Sequence, residues 1–300
     1  MTTFCGQVAL IGAPNAGKST LTNALVGQKV AIVSAKPQTT RARLTGIAIE
    51  GEAQILLVDT PGVFEPRRRL DRAMVHAAWD GGEGADLVCW VVDASDAGTG
   101  RGRADLDRMV HRLRNEEQPV WLILNKVDST AKEPMLALAE QLHGEVPVGE
   151  TFFVSATTGD GVPQLKAALA SALPEGEWRF PADQLVDASE RLLAAEITRE
   201  QLYAQLHAEL PYAAAIETEK WTERPNGSVE IHQQILVERA SQRAIVLGRG
   251  GERIKAIGSA ARAAIGELLG RRVHLYLHVK VSEDWGEDRA LYDAIGLDWR

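Results

Sequence analysis

The chain has little cysteine, no long apolar run and no surplus of positive charge, and each shortage excludes something. Cys5 and Cys89 are the two cysteines in 300 residues, both in or beside apolar stretches. Such a pair fits buried thiols in a reducing, cytosolic setting, not a disulfide framework. No apolar segment approaches the roughly 20 residues of a membrane span. The chain runs into a strand within a few residues of its start, so no signal or transit peptide is expected there. No His or Cys cluster has metal-ligand spacing; His274 and His278, four apart on a strand, are too far separated to share an ion. Acidic residues outnumber basic ones 41 to 33, a formal net charge of −8, which for the whole chain argues against a nucleic-acid partner. The remaining composition, 45% hydrophobic and 25% charged, is that of a globular protein, and 300 residues suggest about two domains.

Against these absences stands one strong motif. Gly12-Ala13-Pro14-Asn15-Ala16-Gly17-Lys18-Ser19, followed by Thr20, fits the phosphate-loop pattern G-x-x-x-x-G-K-[ST]. The apolar run Val8–Ile11 before it reads as a buried strand, and Thr20–Leu25 after it reads as a helix. The glycines let backbone N–H groups curl around phosphate oxygens, and the helix N-terminus adds its positive dipole end. Lys18 is expected to reach the β- and γ-phosphates and the Ser19 hydroxyl to bind Mg²⁺.

Apolar runs then alternate with amphipathic helical stretches as far as Leu173, the pattern of a doubly wound, mostly parallel sheet. Strands are expected at 8–11, 47–49, 55–58, 87–92, 120–124 and 152–154. Ligands in such sheets sit at the carboxyl ends of strands, and the polar motifs fall there. Ile55–Val58 closes on Asp59-Thr60-Pro61-Gly62, with Asp59 placed for Mg²⁺ and the Gly62 N–H for the γ-phosphate. Val120–Leu124 closes on Asn125-Lys126-Val127-Asp128. One carboxylate can accept the two adjacent donors of guanine, N1–H and the N2 amino group, and adenine would leave Asp128 unpaired. Asn125 can bond the N7 side of the base and brace the phosphate loop, while the Lys126 stem covers a ring face. Ser155-Ala156-Thr157 ends the next strand where a backbone N–H would meet guanine O6. Asp86 to Asp93 brackets a buried strand to which no chemistry is assigned.

Taken in order, these motifs resemble the guanine-nucleotide domain of the phosphate-loop GTPases over about the first 170 residues. The resemblance implies GTP and GDP as ligands, Mg²⁺ as cofactor and two nucleotide-ordered switch loops. The first switch is expected from Gly27 to Arg43, with Thr40, in preference to Thr39, completing the Mg²⁺ shell. Lys18, Thr40 and Gly62 are the groups expected to act on the γ-phosphate. After Gly62 comes Val63, where small signalling GTPases carry a water-orienting Gln, so unaided turnover is expected to be slow. Asn15 either caps the loop or helps hold K⁺ beside the phosphates. The run Arg67-Arg68-Arg69 is expected to be a solvated face.

Leu173 to Pro181 breaks the periodicity with two prolines and a glycine. The expected organisation is a GTP-binding domain at 1–173, a linker at 174–185 and a second domain at 186–300 with an acidic tail. In the second part a helix is expected over 187–209, ended by Pro211. Strands follow, including Val229–Val237, where Val229, Ile231, Gln233, Ile235 and Val237 share a face. Two helical pieces then meet at Gly248-Arg249-Gly250-Gly251, and a strand at Val273–Val281 closes the unit. A G-x-x-G loop between helices resembles a KH-type (type II) RNA-binding module, α+β in class. From Leu236 to Lys280 nine Arg or Lys stand against three Glu, a local net of +6. Arg243, Gly248, Arg249, Gly250, Gly251, Arg253, Lys255 and Arg262 are the expected RNA contacts.

A GTPase domain followed by one KH domain is similar to the Era family of bacterial ribosome-assembly GTPases. The likeness extends to Lys36-Pro37-Gln38-Thr39-Thr40-Arg41, Glu209-Leu210-Pro211-Tyr212 and Leu236-Val237-Glu238-Arg239. It implies binding to 16S-type small-subunit ribosomal RNA near its 3′ end, a role in 30S assembly, a cytoplasmic location and peripheral membrane association. No stable oligomer is indicated. The rival reading is an RNA chaperone or placeholder in which GTP is mainly structural.

Overall fold

The computed structural model describes residues 2–34, 36, 40, 41, 44–66, 68–80, 82, 84–114, 120–206 and 210–299. Of the expected first switch, positions 35, 37–39, 42 and 43 lie outside the described residues, Thr39 among them, as do Arg67 and Glu209.

The first unit is built on a seven-stranded sheet. Its strands are β1 (Phe4–Ile11), β2 (Leu44–Glu50), β3 (Ala53–Asp59), β4 (Leu87–Asp93), β5 (Val120–Asn125), β6 (Val148–Val154) and β7 (Val186–Asp187), in the order β6-β5-β4-β1-β3-β2-β7. Only β2 runs antiparallel to its neighbours β3 and β7; the other pairings are parallel. Every expected strand lies inside one of these elements. The unbroken apolar runs follow from burial on both faces: all seven residues of β3 are buried. One layer packs α1 (Lys18–Val26) and α5 (Val162–Ala172) on the sheet through Leu21, Leu25, Leu165 and Leu169. The opposite layer brings in α2 (Arg69–Asp80), α3 (Gly100–Leu113) and α4 (Lys132–Glu145), through Ala78, Met109 and Leu142.

The segment at 174–185, expected to be a linker, is part of this unit. Its backbone joins β1 through Cys5 N to Pro174 O (3.2 Å) and Gly176 N to Thr3 O (3.0 Å). Gln54, fully buried on β3, accepts from Arg179 N at 2.8 Å and Phe180 N at 3.1 Å and donates to Phe180 O at 2.8 Å. β7 then pairs with β2, and the compact units divide after Asp187. The physical reason is satisfaction of a buried amide: Gln54 within an apolar strand needs partners, and this segment supplies them.

The second unit runs α6 (Glu190–Gln205), β8 (Ala214–Glu223), β9 (Val229–Val237), α7 (Ala240–Leu247), α8 (Glu252–Leu269), β10 (Val273–Val281) and α9 (Arg289–Ala294). The three-stranded sheet has the order β10-β9-β8, with β10 parallel and β8 antiparallel to β9. α6 begins later than expected because the Ser189 side chain caps it, accepting from Leu192 N at 3.2 Å. Alternate residues of β9 are buried as the pattern predicts, and Gln233 among them is held by Thr198 Oγ1 at 2.6 Å. Ile257, Ala261 and Ile265 form the buried stripe of α8.

Candidate functional site

The phosphate loop connects β1 to α1, and its shape is set by positive φ values at Gly12 (151°), Asn15 (65°) and Gly17 (93°). A Cβ on Gly17 would fall 2.2 Å from Asn125 Nδ2, so a side chain is excluded there by contact as well as by φ. Lys18, at the first helical position, is 5% exposed; its Nζ donates to Gly12 O at 3.0 Å and Ala13 O at 2.9 Å. Burial pulls its pKa down to about 8, against the opposing pull of Asp59. The ammonium therefore sits folded into the loop, beside where a polyphosphate would bring negative charge.

Asp59 closes β3 and is fully buried. Ser19 Oγ donates to Asp59 Oδ2 at 2.7 Å, and Thr40 Oγ1 lies 2.8 Å from Ser19 Oγ. Asp59 Oδ1 has no hydrogen-bond partner among the described residues. Burial raises the Asp59 carboxyl to about 6 despite the bonds from Ser19 and Thr40 and the charge of Lys18. Two hydroxyls and an under-satisfied carboxylate are the oxygen set a hard divalent cation takes, so these residues fit Mg²⁺. The structure thus brings Ser19, Thr40 and Asp59 together. Thr60 instead turns its hydroxyl into the sheet, donating to Leu10 O at 2.7 Å, and Gly62 lies against Pro14. Val63 is 3% exposed and belongs to the apolar cluster around Trp90 and Met109.

Asn125 is 2% exposed and joins two loops: its Nδ2 donates to Ala16 O at 2.9 Å, and its Oδ1 accepts from Ala156 N at 3.0 Å. The N–H expected for guanine O6 is thus engaged by Asn125 here. Ser155 is buried, with its Oγ accepting from Thr158 N at 3.1 Å. Lys126 has φ 67°, and Asp128 follows on an exposed single helical turn at Val127–Ser129. Pro14, Asn15, Lys18, Ser19, Thr40, Gly62 and Lys126 line one cleft of about 320 Å³, within the range of small-molecule sites. One neighbour escaped the sequence reading. Asp93, assigned no chemistry above, accepts from Lys126 Nζ at 2.5 Å; its only sequence signal was an acidic residue ending a strand beside Asn125.

In the second unit α7 and α8 meet at the glycine loop. Gly248 has φ 73°, and a Cβ there would sit 2.7 Å from Arg253 Cβ; Gly250 and Gly251 are also left-handed but face open space. Two expected RNA cations do structural work: Arg253 Nη1 donates to Ile245 O at 2.8 Å and Arg243 Nε to Val279 O at 3.1 Å. Arg249, Lys255 and Arg262 are exposed. Lys255 and Arg262, seven apart, share a helix face. Ile245, 48% exposed at the end of α7, adds an apolar surface beside the loop that sequence reading did not single out.

Two family models match the chain, a 50S ribosome-binding GTPase over residues 7–126 and a KH domain over residues 209–286. GTPase Era of Erythrobacter litoralis is 59% identical over 299 residues, covering 98% of this chain and 97% of that protein. GTPase Era of Afipia carboxidovorans is 55% identical over 301 residues, covering 99% and 95%. Among solved structures, a substituted form of Aquifex aeolicus Era bound to GDP·AlF4− superposes with a TM-score of 0.88 at 35% identity, covering 98% of this chain and 99% of that one. An Era complex with MgGDPNP and nucleotides 1506–1542 of 16S ribosomal RNA matches with the same score, identity and coverage.

Proposed function

Because the chain belongs to the Era family of GTPases, we propose that it is a GTP-hydrolysing switch that binds 16S ribosomal RNA near its 3′ end and assists 30S subunit assembly. The observation that carries the reading is the convergence of Lys18, Ser19 and Thr40 on one cleft, with the buried Asp59 bonded to Ser19 behind it and its Oδ1 left without a partner among the described residues. In hydrolysis a water oxygen attacks the γ-phosphorus as the bond to the β-bridging oxygen breaks, giving GDP and inorganic phosphate. The Ser19 and Thr40 hydroxyls, with Asp59 behind them, would hold Mg²⁺, which would supply neutralisation of charge on the β- and γ-phosphates. The phosphate-loop N–H groups orient the nucleotide, Lys18 swings from loop carbonyls to phosphate, and the Gly62 N–H meets the γ-phosphate. Asp128 accepts from the guanine edge, and Asn125, bonded to Ala16 O and to Ala156 N, ties the two loops together.

Val63 offers the attacking water nothing: its side chain is apolar and packed in the core. Unaided turnover is therefore slow, with the water placed by backbone groups, an ion or a partner. Asn15, exposed at the cleft, is the candidate ligand for K⁺; equal rates in sodium and potassium would remove that role. On the RNA side, the glycine loop lets the phosphate backbone approach, and Arg249, Lys255 and Arg262 neutralise it. The two buried thiols suit the reducing cytoplasm. Peripheral contact with a membrane rests on family resemblance alone; no helix among the described residues is long and apolar enough to cross one.

The test is the affinity of the purified protein for single-stranded RNA from the 3′ end of small-subunit rRNA, at fixed salt, with a non-hydrolysable GTP analogue and with GDP. A clear difference between the two supports the switch. Equal tight binding favours the chaperone in which GTP is structural, and no binding in either state sinks the RNA role.

A further inference from the structure

Asp93 ends β4 opposite Asn125 in the parallel β4–β5 register, and Ala94 N donates to Asn125 O at 3.0 Å, so the two strand ends are stitched together. Its carboxylate is held from one side: Ser95 N and Ser95 Oγ donate to Oδ1 at 2.9 and 2.6 Å. The other oxygen, Oδ2, accepts from Lys126 Nζ at 2.5 Å. The two side chains are 36% (Lys126) and 17% (Asp93) exposed, and Lys126 lines the nucleotide cleft. No step of phosphoryl transfer uses this carboxylate, and it is occupied by Ser95 and Lys126.

We propose that Asp93 is a positioning residue for guanine recognition: it anchors the Lys126 ammonium so that the Lys126 stem is held in place as a wall of the base pocket before nucleotide arrives. The inference rests on the guanine-nucleotide reading of Asn125–Asp128. A lysine side chain has four rotatable bonds, and ordering it over a base on binding subtracts from affinity. The Asp93 contact meets that entropic penalty in the free protein. Ser95 in turn restricts the carboxylate, so the anchor has a fixed direction. Because the base is common to both nucleotides, the effect falls equally on GDP and GTP, unlike that of any group near the γ-phosphate. The pair is partly exposed, so solvent screening keeps the effect modest, about threefold to fivefold in affinity.

Asp93→Asn keeps the size and the acceptor for Ser95 while removing the charge. Titrations of GDP and a non-hydrolysable GTP analogue into the full-length protein compare wild type, Asp93→Asn, Lys126→Met and the double variant, with ADP as a control on wild type. Asp93→Asn should weaken both guanine nucleotides by one common factor. In the Lys126→Met background it should add no further loss beyond about twofold, since its effect travels through Lys126. In turnover the loss should fall on KM, with kcat changing less than KM. Should Asp93→Asn not fold, Ser95→Ala, which loosens the carboxylate, enters the same cycle with a smaller expected loss. Additive losses in the double variant, or unchanged affinity in Asp93→Asn, overturn the proposal. A wild type that fails to prefer GDP over ADP overturns the guanine reading instead.

Discussion

Replacing Asn125 by Ala should destabilise the protein before any nucleotide is present. Its amide donates to Ala16 O and accepts from Ala156 N, 109 and 31 residues away in sequence, joining the phosphate loop to the loop after β6. Truncation removes both bonds. Ala16 is 1% exposed, so its carbonyl loses a donor that water cannot readily replace, while Ala156 is only partly buried and can be rehydrated. Unsatisfied buried groups cost about 1–3 kcal/mol each, and with one of the two partly wet the expected loss is about 2–4 kcal/mol. For a unit of this size each kcal/mol lowers the unfolding midpoint by about 2–4 °C, giving a drop on the order of 4–16 °C. The assay is thermal unfolding of nucleotide-free protein, with the first unit's transition identified by its upward shift on adding MgGDP. Nucleotide affinity falls in the same variant. An unfolding midpoint unchanged without nucleotide, alongside weakened GDP binding, would show that Asn125 acts on the base alone and refute the bracing argument.

Val63→Gln should not create a fast enzyme: the side chain points into the apolar cluster, so kcat should rise by less than about twofold, while the buried amide destabilises the fold by about 1–3 kcal/mol in a denaturant titration. The pH dependence of MgGDP affinity follows from Asp59. Burial raises its folded carboxyl to about 6, so the free protein holds it protonated only below that pH, and binding Mg²⁺ through Asp59 would need the carboxylate. Affinity should be level above pH 6 and fall by roughly tenfold per unit below it, measured by calorimetry with and without Mg²⁺. Stability of the nucleotide-free protein has the opposite sign: the Asp59 contribution is full below its unfolded value and is lost as pH rises through about 6. The pair Arg249→Asp and Gly250→Asp together should lower RNA affinity by about tenfold or more with nucleotide affinity intact, since Gly250 faces open space and Asp tolerates its left-handed φ. Equal RNA binding in that variant would remove the glycine loop from the interface.

The parts of this protein legible in the sequence are those whose physics is local. Unbroken apolar runs made the strands, Gly17-Lys18-Ser19 made the strand–loop–helix junction, and alternation along Val229–Val237 made the central strand of the second unit. Polar residues ending those strands marked the cleft because a parallel sheet gathers its strand ends at one edge. What required the tertiary structure was every choice between equivalent local readings. Asp93 and Asp86 look alike in sequence, and only the β4–β5 register puts Asp93 within reach of Lys126. Val63 could face solvent or core, and the packing of the opposite layer decided for the core. Two prolines and a glycine read as a linker at 174–185, yet the buried amide of Gln54, more than 100 residues away in sequence, draws that segment onto the sheet. The motifs name the chemistry through short-range spacing; which side chains hold one another is set by contacts between distant strands, and no local pattern encodes those.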